Sequence, residues 1–162
     1  MAKLAGGVSV INVGAPTEPE MKEKKERVID AVQATKAAME EGIVAGGEVA
    51  LLYTANEPLG EAFETEGGKI LKEALKVPFK RLMENSGLDY AEALQKLAGK
   101  KYPWGIDVLD GEVKNLIKVG IIDPVKVTRS ALENAVSIGS MAITTACMVA
   151  EDLEKTPEKQ AL

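Results

Sequence analysis

Asp30, the Gly46-Gly47 pair, Asp107 and Asp123 are the residues whose types and positions are able to do chemistry. The chain contains no His. Imidazole is the usual neutral-pH proton carrier and a common metal ligand, so Ser-His-Asp and Cys-His nucleophile pairs and His-type zinc sites are excluded. Acid/base work must fall to carboxylates, Lys or Tyr. Asp30 reads two ways. Charged helix residues are mostly solvated, yet Asp30 is followed one and two turns on by Ala34 and Ala37, where a solvated face more often carries Lys or Glu. Such small neighbours leave room for a ligand.

Gly46-Gly47 precedes an apolar run, and it reads either as a turn between elements or as backbone that approaches a ligand closely. Known phosphate motifs are lacking: there is no G-x-G-x-x-G, and neither Gly68-Lys69 nor Gly99-Lys100 has the Walker spacing or the following Ser/Thr. Asp107 falls in an alternating segment. Asp123, followed by Pro124, reads as a helix N-cap with Pro at N1. Cys147, in an apolar run, reads as a packed side chain rather than a reactive one.

These residues need elements to position them. Val8, Val10, Ile11 and Val13 predict a short strand near 8–13, ended by Gly14-Ala15-Pro16. Thr17 and Glu20 have the spacing of a capping box. A helix is expected from Glu18 to Glu41, carrying Glu18/Lys22, Glu20/Lys24 and Glu23/Arg27 pairs and closed by Gly42. Its stripe Val28, Ala31, Val32, Thr35, Ala38 and Met39 has the spacing of a buried face, with Asp30 opposite.

The stretch from Thr54 to Gly68 reads as an exposed loop. A helix follows through Ile70, Leu75, Phe79 and Met83, and Pro78 is expected to kink or divide it. Asp89 to Ala98 predicts a short amphipathic helix. Tyr102 to Leu109 predicts a hairpin, and Glu112 to Lys118 a helical turn. The helix after Pro124 is apolar nearly all round from Ala131 to Ala146, which predicts that other elements enclose it.

Composition bounds the class. The chain has 162 residues, with 20 Lys plus Arg against 25 Asp plus Glu and a net charge of −5. That balance argues against nucleic acid, whose binding depends on clustered cations. A single Cys forbids an internal disulfide, and the first residues lack the roughly 7–15 apolar positions of a signal peptide. A cytoplasmic location is expected. The charge-free run Ala135 to Ala150 is shorter than the roughly 20 residues of a membrane span, so no membrane partner is expected.

Two stretches, AKLAGGVSVINVGAPTEPEMKEKKERVIDAVQATKAAMEEGIVAGG and GIIDPVKVTRSALENAVSIGSMAITTACMV, resemble the C-terminal portion of a GroEL-type group I chaperonin. The similarity runs in register from Ala2 to Asp152. It implies a mainly α fold, an equatorial-domain-like helical bundle with small β elements near 8–13 and 102–109. Residues 1–41 would belong to the hinged intermediate domain, 42–152 to the C-terminal half of the ATP-binding equatorial domain, and 153–162 to a disordered tail.

The resemblance implies that Asp30 orients the water attacking ATP when the hinge closes, consistent with phosphoryl transfer by positioning. It places Gly47 against the nucleotide with Gly46 supporting the turn. Asp107, Val108 and Leu109 would surround adenine and ribose, Leu82 and Ile121 would wall the base pocket, and Asp123 would hold the ribose hydroxyls. Glu48 stands where the family has a third glycine, and Val108-Leu109 are bulkier than the usual Ala-Ala. The tail EKTPEKQAL replaces a Gly/Met-rich one.

In the family the N-terminal part of the chain supplies the phosphate loop and the aspartate that holds Mg²⁺, and neither motif is in these residues. The expected function is therefore that of a C-terminal fragment of an ATP-dependent protein-folding chaperonin, hydrolysing ATP negligibly alone. Implied partners are the N-terminal half of the equatorial domain, further copies, non-native polypeptides and a co-chaperonin. An alternative is a catalytically inactive helical interaction module; a third reading is an unrelated helical enzyme using Asp30.

Overall fold

The computed structural model describes residues 9–58, 60–147 and 149–150. It is mainly α, with two small antiparallel sheets. The order is α1 (Glu18–Glu41), β1 (Ile43–Ala45), α2 (Val49–Asn56), a 3₁₀ turn (Glu61–Glu64), α3 (Glu66–Asn85), α4 (Tyr90–Leu97), β2 (Trp104–Asp107), β3 (Glu112–Asn115), α5 (Leu116–Val119), β4 (Ile122–Pro124) and α6 (Val125–Thr144). The chain divides into two compact units, one up to Thr128 and one from Arg129 onward. None of the described helices is long and apolar enough to cross a membrane.

The first unit is built around Phe79 and Met83 of α3, both fully buried. Val49 and Leu52 of α2, Ala93 and Leu97 of α4, Ile106 of β2 and Leu116 of α5 complete the core. Burial of each large apolar side chain contributes about 1.5–3 kcal/mol. These residues recur at helical spacing on α3 and α4 because only one face of each helix meets the core. Caps fix where helices begin: the Thr65 hydroxyl accepts from Gly68 N–H at 3.1 Å, and Asp89 Oδ1 accepts from Glu92 N–H at 2.8 Å.

Several expectations need correction. Residues 9–15 form no strand; Val10 and Ile11 are 79% and 60% exposed and have no partner strand among the described residues. Val8 and the tail 153–162 lie outside the described residues. Thr17 makes no side-chain cap bond, and α1 buries no residue. Its predicted inner stripe is open, with Met39 83% exposed.

The Thr54–Gly68 stretch is not wholly loop: α2 runs on to Asn56, and α3 starts at Glu66 because Thr65 caps it despite the following glycines. Pro78 does not divide α3. The carbonyl that loses its N–H donor belongs to Ala74, an exposed residue that water can serve.

The hairpin closes later than expected. Its second strand is Glu112–Asn115, where a helical turn was predicted, and Trp104 pairs with Asn115 while Asp107 pairs with Glu112. Only Leu116–Val119 is helical, capped by Asn115 Oδ1 on the Lys118 N–H. Ile122–Pro124 is a strand pairing with Ile43–Ala45, so Asp123 is not a helix cap. Pro124 fits there because it lies at the end of an edge strand. α6 is not enclosed: none of its residues is buried. Cys147 is exposed rather than packed.

Candidate functional site

The β1–β4 pairing assembles the first part of the site. Val44 faces Asp123 and Ala45 faces Ile122, and Gly46 N–H donates to Ile121 O at 3.0 Å, extending the ladder by one step. Side chains two positions apart on a strand share a face. Asp123, opposite Val44, is thus the diagonal neighbour of position 46. A Cβ on Gly46 would lie 3.2 Å from Asp123 Oδ2 and 3.3 Å from the Ile121 carbonyl carbon. The missing side chain leaves the Asp123 carboxylate lying over bare backbone.

Gly47 has φ +64, the left-handed region that glycine enters without steric cost. A Cβ there would come 3.5 Å from Leu116 Cδ1 and 3.9 Å from Ile106 O. The turn is therefore seated against α5 and the end of β2. Ala45 N–H donates to the Tyr102 phenol oxygen at 2.8 Å, and Tyr53 meets the Tyr102 ring edge-on at 6.0 Å. These contacts fix the glycine turn relative to the hairpin that carries Asp107.

Asp107 ends β2. Gly111 N–H donates to its carbonyl at 2.8 Å, closing the turn. Its carboxylate accepts from Lys114 Nζ at 2.7 Å and from Leu109 N–H at 3.1 Å. The lysine hydrogen bond first, and the Leu109 N–H second, hold this carboxyl below the ordinary range. Lys114 also pairs with Asp110. Val108 packs half-buried against the core, whereas Leu109 is 93% exposed.

Asp123 and Glu48 have the opposite electrostatics. Burial pushes the Asp123 carboxyl up. Burial first, and the Asp123 charge second, push Glu48 up. Among the described residues, neither carboxylate has a hydrogen-bond or ion-pair partner. Glu48 sits at φ 61, immediately before α2, and makes no side-chain cap bond.

Gly46, Gly47, Ile121 and Asp123 come together, with Asp107 and Val108 following on the adjoining hairpin. Leu82 packs half-buried against the core on α3. Asp30 stands apart. It is exposed on α1, beside Glu26 and Arg27. Three helical turns, about 16 Å, separate it from the end of α1, where Val125 N–H donates to Gly42 O at 3.1 Å and Lys126 pairs with Glu40.

Sequence reasoning missed the part played by three residues. Gly105 permits Leu116 and Val49 to close beneath the turn; its place among the alternating residues Trp104, Ile106 and Val108 was the available signal. Lys114 was invisible because its two partners lie across a hairpin turn whose position was misjudged. The charge coupling of Glu48 to Asp123 required knowing that β1 pairs with β4.

The fit to a nucleotide differs between its two ends. A half-buried, unpartnered carboxylate over bare glycine backbone suits paired sugar hydroxyls, which donate to it. Glu48 and Asp123 together oppose phosphate oxygens.

Residues 2–152 match the TCP-1/cpn60 chaperonin family. Among solved structures, the open-state crystal structure of a group III chaperonin is similar, with TM-score 0.74 and 27% sequence identity. The similarity covers 85% of this chain and 30% of that one, so the chain spans less than a third of that structure's length. With nearly its whole length matched, this chain belongs to the TCP-1/cpn60 chaperonin family.

Proposed function

We propose that these residues contribute the sugar and base side of a nucleotide site, together with a mobile water-orienting carboxylate, to an ATP-dependent protein-folding chaperonin of group I type. Asp123 accepts from the ribose hydroxyls over the Gly46 backbone, and Gly47 lets the turn approach the ligand. Ile121 and Leu82 wall the base, while the Asp107-Val108-Leu109 turn closes around it. ATP supplies a phosphoanhydride bond to be hydrolysed. Asp30 acts on the attacking water only after α1 is carried toward the turn, because the two lie helical turns apart. On this reading residues 1–41 belong to the hinge and 42–152 to the nucleotide domain of a cytoplasmic assembly. Non-native polypeptides and a co-chaperonin are partners of the whole protein.

The observation that supports this reading is the seating of Asp123 against Gly46, 3.2 Å from where a Cβ would stand. Calorimetric titration of the chain with adenosine and with ATP plus Mg²⁺ tests it. Adenosine binding that is lost in Asp123→Ala is the expected result, with negligible ATP turnover. Binding that survives Asp123→Ala unchanged, or turnover abolished by Asp30→Ala in this chain alone, refutes it.

A second reading has its own support. On α6, Ile138, Met141 and Ile143 are 65%, 62% and 85% exposed, a pattern that promotes association. An interaction module predicts self-association in sedimentation experiments, and a monomer that binds no hydrophobic dye rules it out.

A further inference from the structure

The turn that ends β2 uses up its polar groups on itself. Asp107 Oδ2 accepts from Lys114 Nζ at 2.7 Å and Oδ1 from Leu109 N–H at 3.1 Å, and only 14% of the Asp107 side chain is exposed. Lys114 is shared with Asp110. The N–H groups of Asp110 and Gly111 both donate to Asp107 O, at 3.4 and 2.8 Å, and that of Glu112 donates to Asp110 Oδ1 at 3.0 Å. What the turn presents at its tip is apolar: Leu109 is 93% exposed. Its place beside the glycine pair is fixed through Ile106, one residue before Asp107, whose carbonyl oxygen lies 3.9 Å from a Cβ position on Gly47.

We propose that the site accepts a purine without reading its 6-position: Leu109 packs on the ring, and Asp107 is a positioning residue that holds the turn rather than a contact to the base. The inference rests on the nucleotide reading above and defines the ligand class of its base end. Adenine carries an amino donor at position 6 where hypoxanthine carries a carbonyl acceptor. Telling them apart takes an acceptor or a donor aimed at that edge. A site built that way rejects the wrong ligand by ~10⁴-fold or more, whereas an apolar pocket separates near-isosteres weakly. Asp107 is the one polar side chain that the reading gives the base, and its two oxygens are engaged and largely covered. Leu82, Val108, Leu109 and Ile121 offer no side-chain hydrogen bond. An exposed leucine does gain from being covered by a flat ring, whichever groups that ring carries at its edge.

Calorimetric titration with adenosine and with inosine tests it, on the natural chain, Leu109→Ser and Asp107→Asn. The natural chain binds the two nucleosides within about threefold of each other. Leu109→Ser, at an exposed position outside the core, weakens both by about fivefold or more and keeps their ratio. Asp107→Asn changes both affinities by the same factor, since the amide alters only how the turn is held. Three outcomes overturn the inference. Adenosine binds the natural chain more than about tenfold tighter than inosine, or Leu109→Ser leaves both affinities unchanged, or Asp107→Asn moves the ratio toward inosine, as an amide donor facing the 6-carbonyl does. A chain selective for adenosine refutes the inference and leaves the nucleotide reading standing. If neither nucleoside binds any form of the chain, the nucleotide reading itself fails and this inference with it.

Discussion

Gly105 gives the sharpest quantitative consequence of how the turn is supported. A methyl carbon at this position would sit 2.4 Å from Leu116 Cδ1, 3.0 Å from Leu116 Cγ and 2.7 Å from Val49 Cγ1. Real carbons do not approach that closely, so Leu116 or Val49 must move. Both are fully buried, and any displacement pushes further into the core around Phe79 and Met83. Overpacking of this kind costs about 1–3 kcal/mol, and two blocked neighbours place Gly105→Ala at about 2 kcal/mol or more. Replacing a strand glycine returns well under that in backbone entropy. For a chain of this length the melting temperature falls by roughly 4–8 °C. Urea unfolding should show a lower midpoint with an unchanged slope. A double-mutant cycle isolates the cause. Leu116→Ala alone costs about 2–5 kcal/mol, but it removes the nearest obstacle, so the pair should be more stable than additivity predicts by about 1 kcal/mol. Gly105→Ala within about 0.5 kcal/mol of the natural chain, or an additive cycle, would refute the packing argument.

Two further predictions concern the carboxylates. Lys114→Met removes the main cause of the lowered Asp107 proton affinity, so a carboxyl NMR titration should show the Asp107 midpoint moving up; an unmoved midpoint contradicts the bridging geometry. Asp123 binds its proton more tightly folded than unfolded, so its favourable contribution is complete below the unfolded carboxylate range and is lost as pH rises through the folded value. Asp123→Asn should therefore gain in melting temperature relative to the natural chain between about pH 4 and about pH 7, and a constant difference across that range argues against burial as the cause.

Helices were legible wherever local chemistry was sufficient. The bounds of α1 follow from Pro19, the charge pairs and Gly42, and α4 from the Asp89 cap. What escaped was set by pairings distant in sequence. Asp123-Pro124 has the local signature of a helix start, but a strand at 43–45 was available to pair with it, and pairing with a partner some 80 residues away leaves no local trace. The hairpin turn was misplaced for a related reason: Asp107, Asp110 and Gly111 each suit a turn, and cross-strand pairing selects the register. The apolar stripe of α1 and the nearly all-round apolar surface of α6 predict burial that the described residues do not provide. Periodicity reports that a face is suited to burial, not that it is buried.

The same distinction governs the candidate site. Asp30, Gly46, Gly47 and Asp123 could be picked out by residue type and spacing, yet only the last three are brought together by the β1–β4 ladder and its diagonal geometry. Asp30 rides on a helix with no buried residue, joined to the rest of the first unit near Gly42 and Glu40. A helix so weakly held by packing can change its direction at small cost, since few apolar contacts must break. A rigid α1 of 24 residues, about 36 Å long, converts a modest rotation at Gly42 into a displacement of many ångströms at Asp30. On the proposed function, a rotation of α1 at Gly42 carries the exposed Asp30 to the nucleotide.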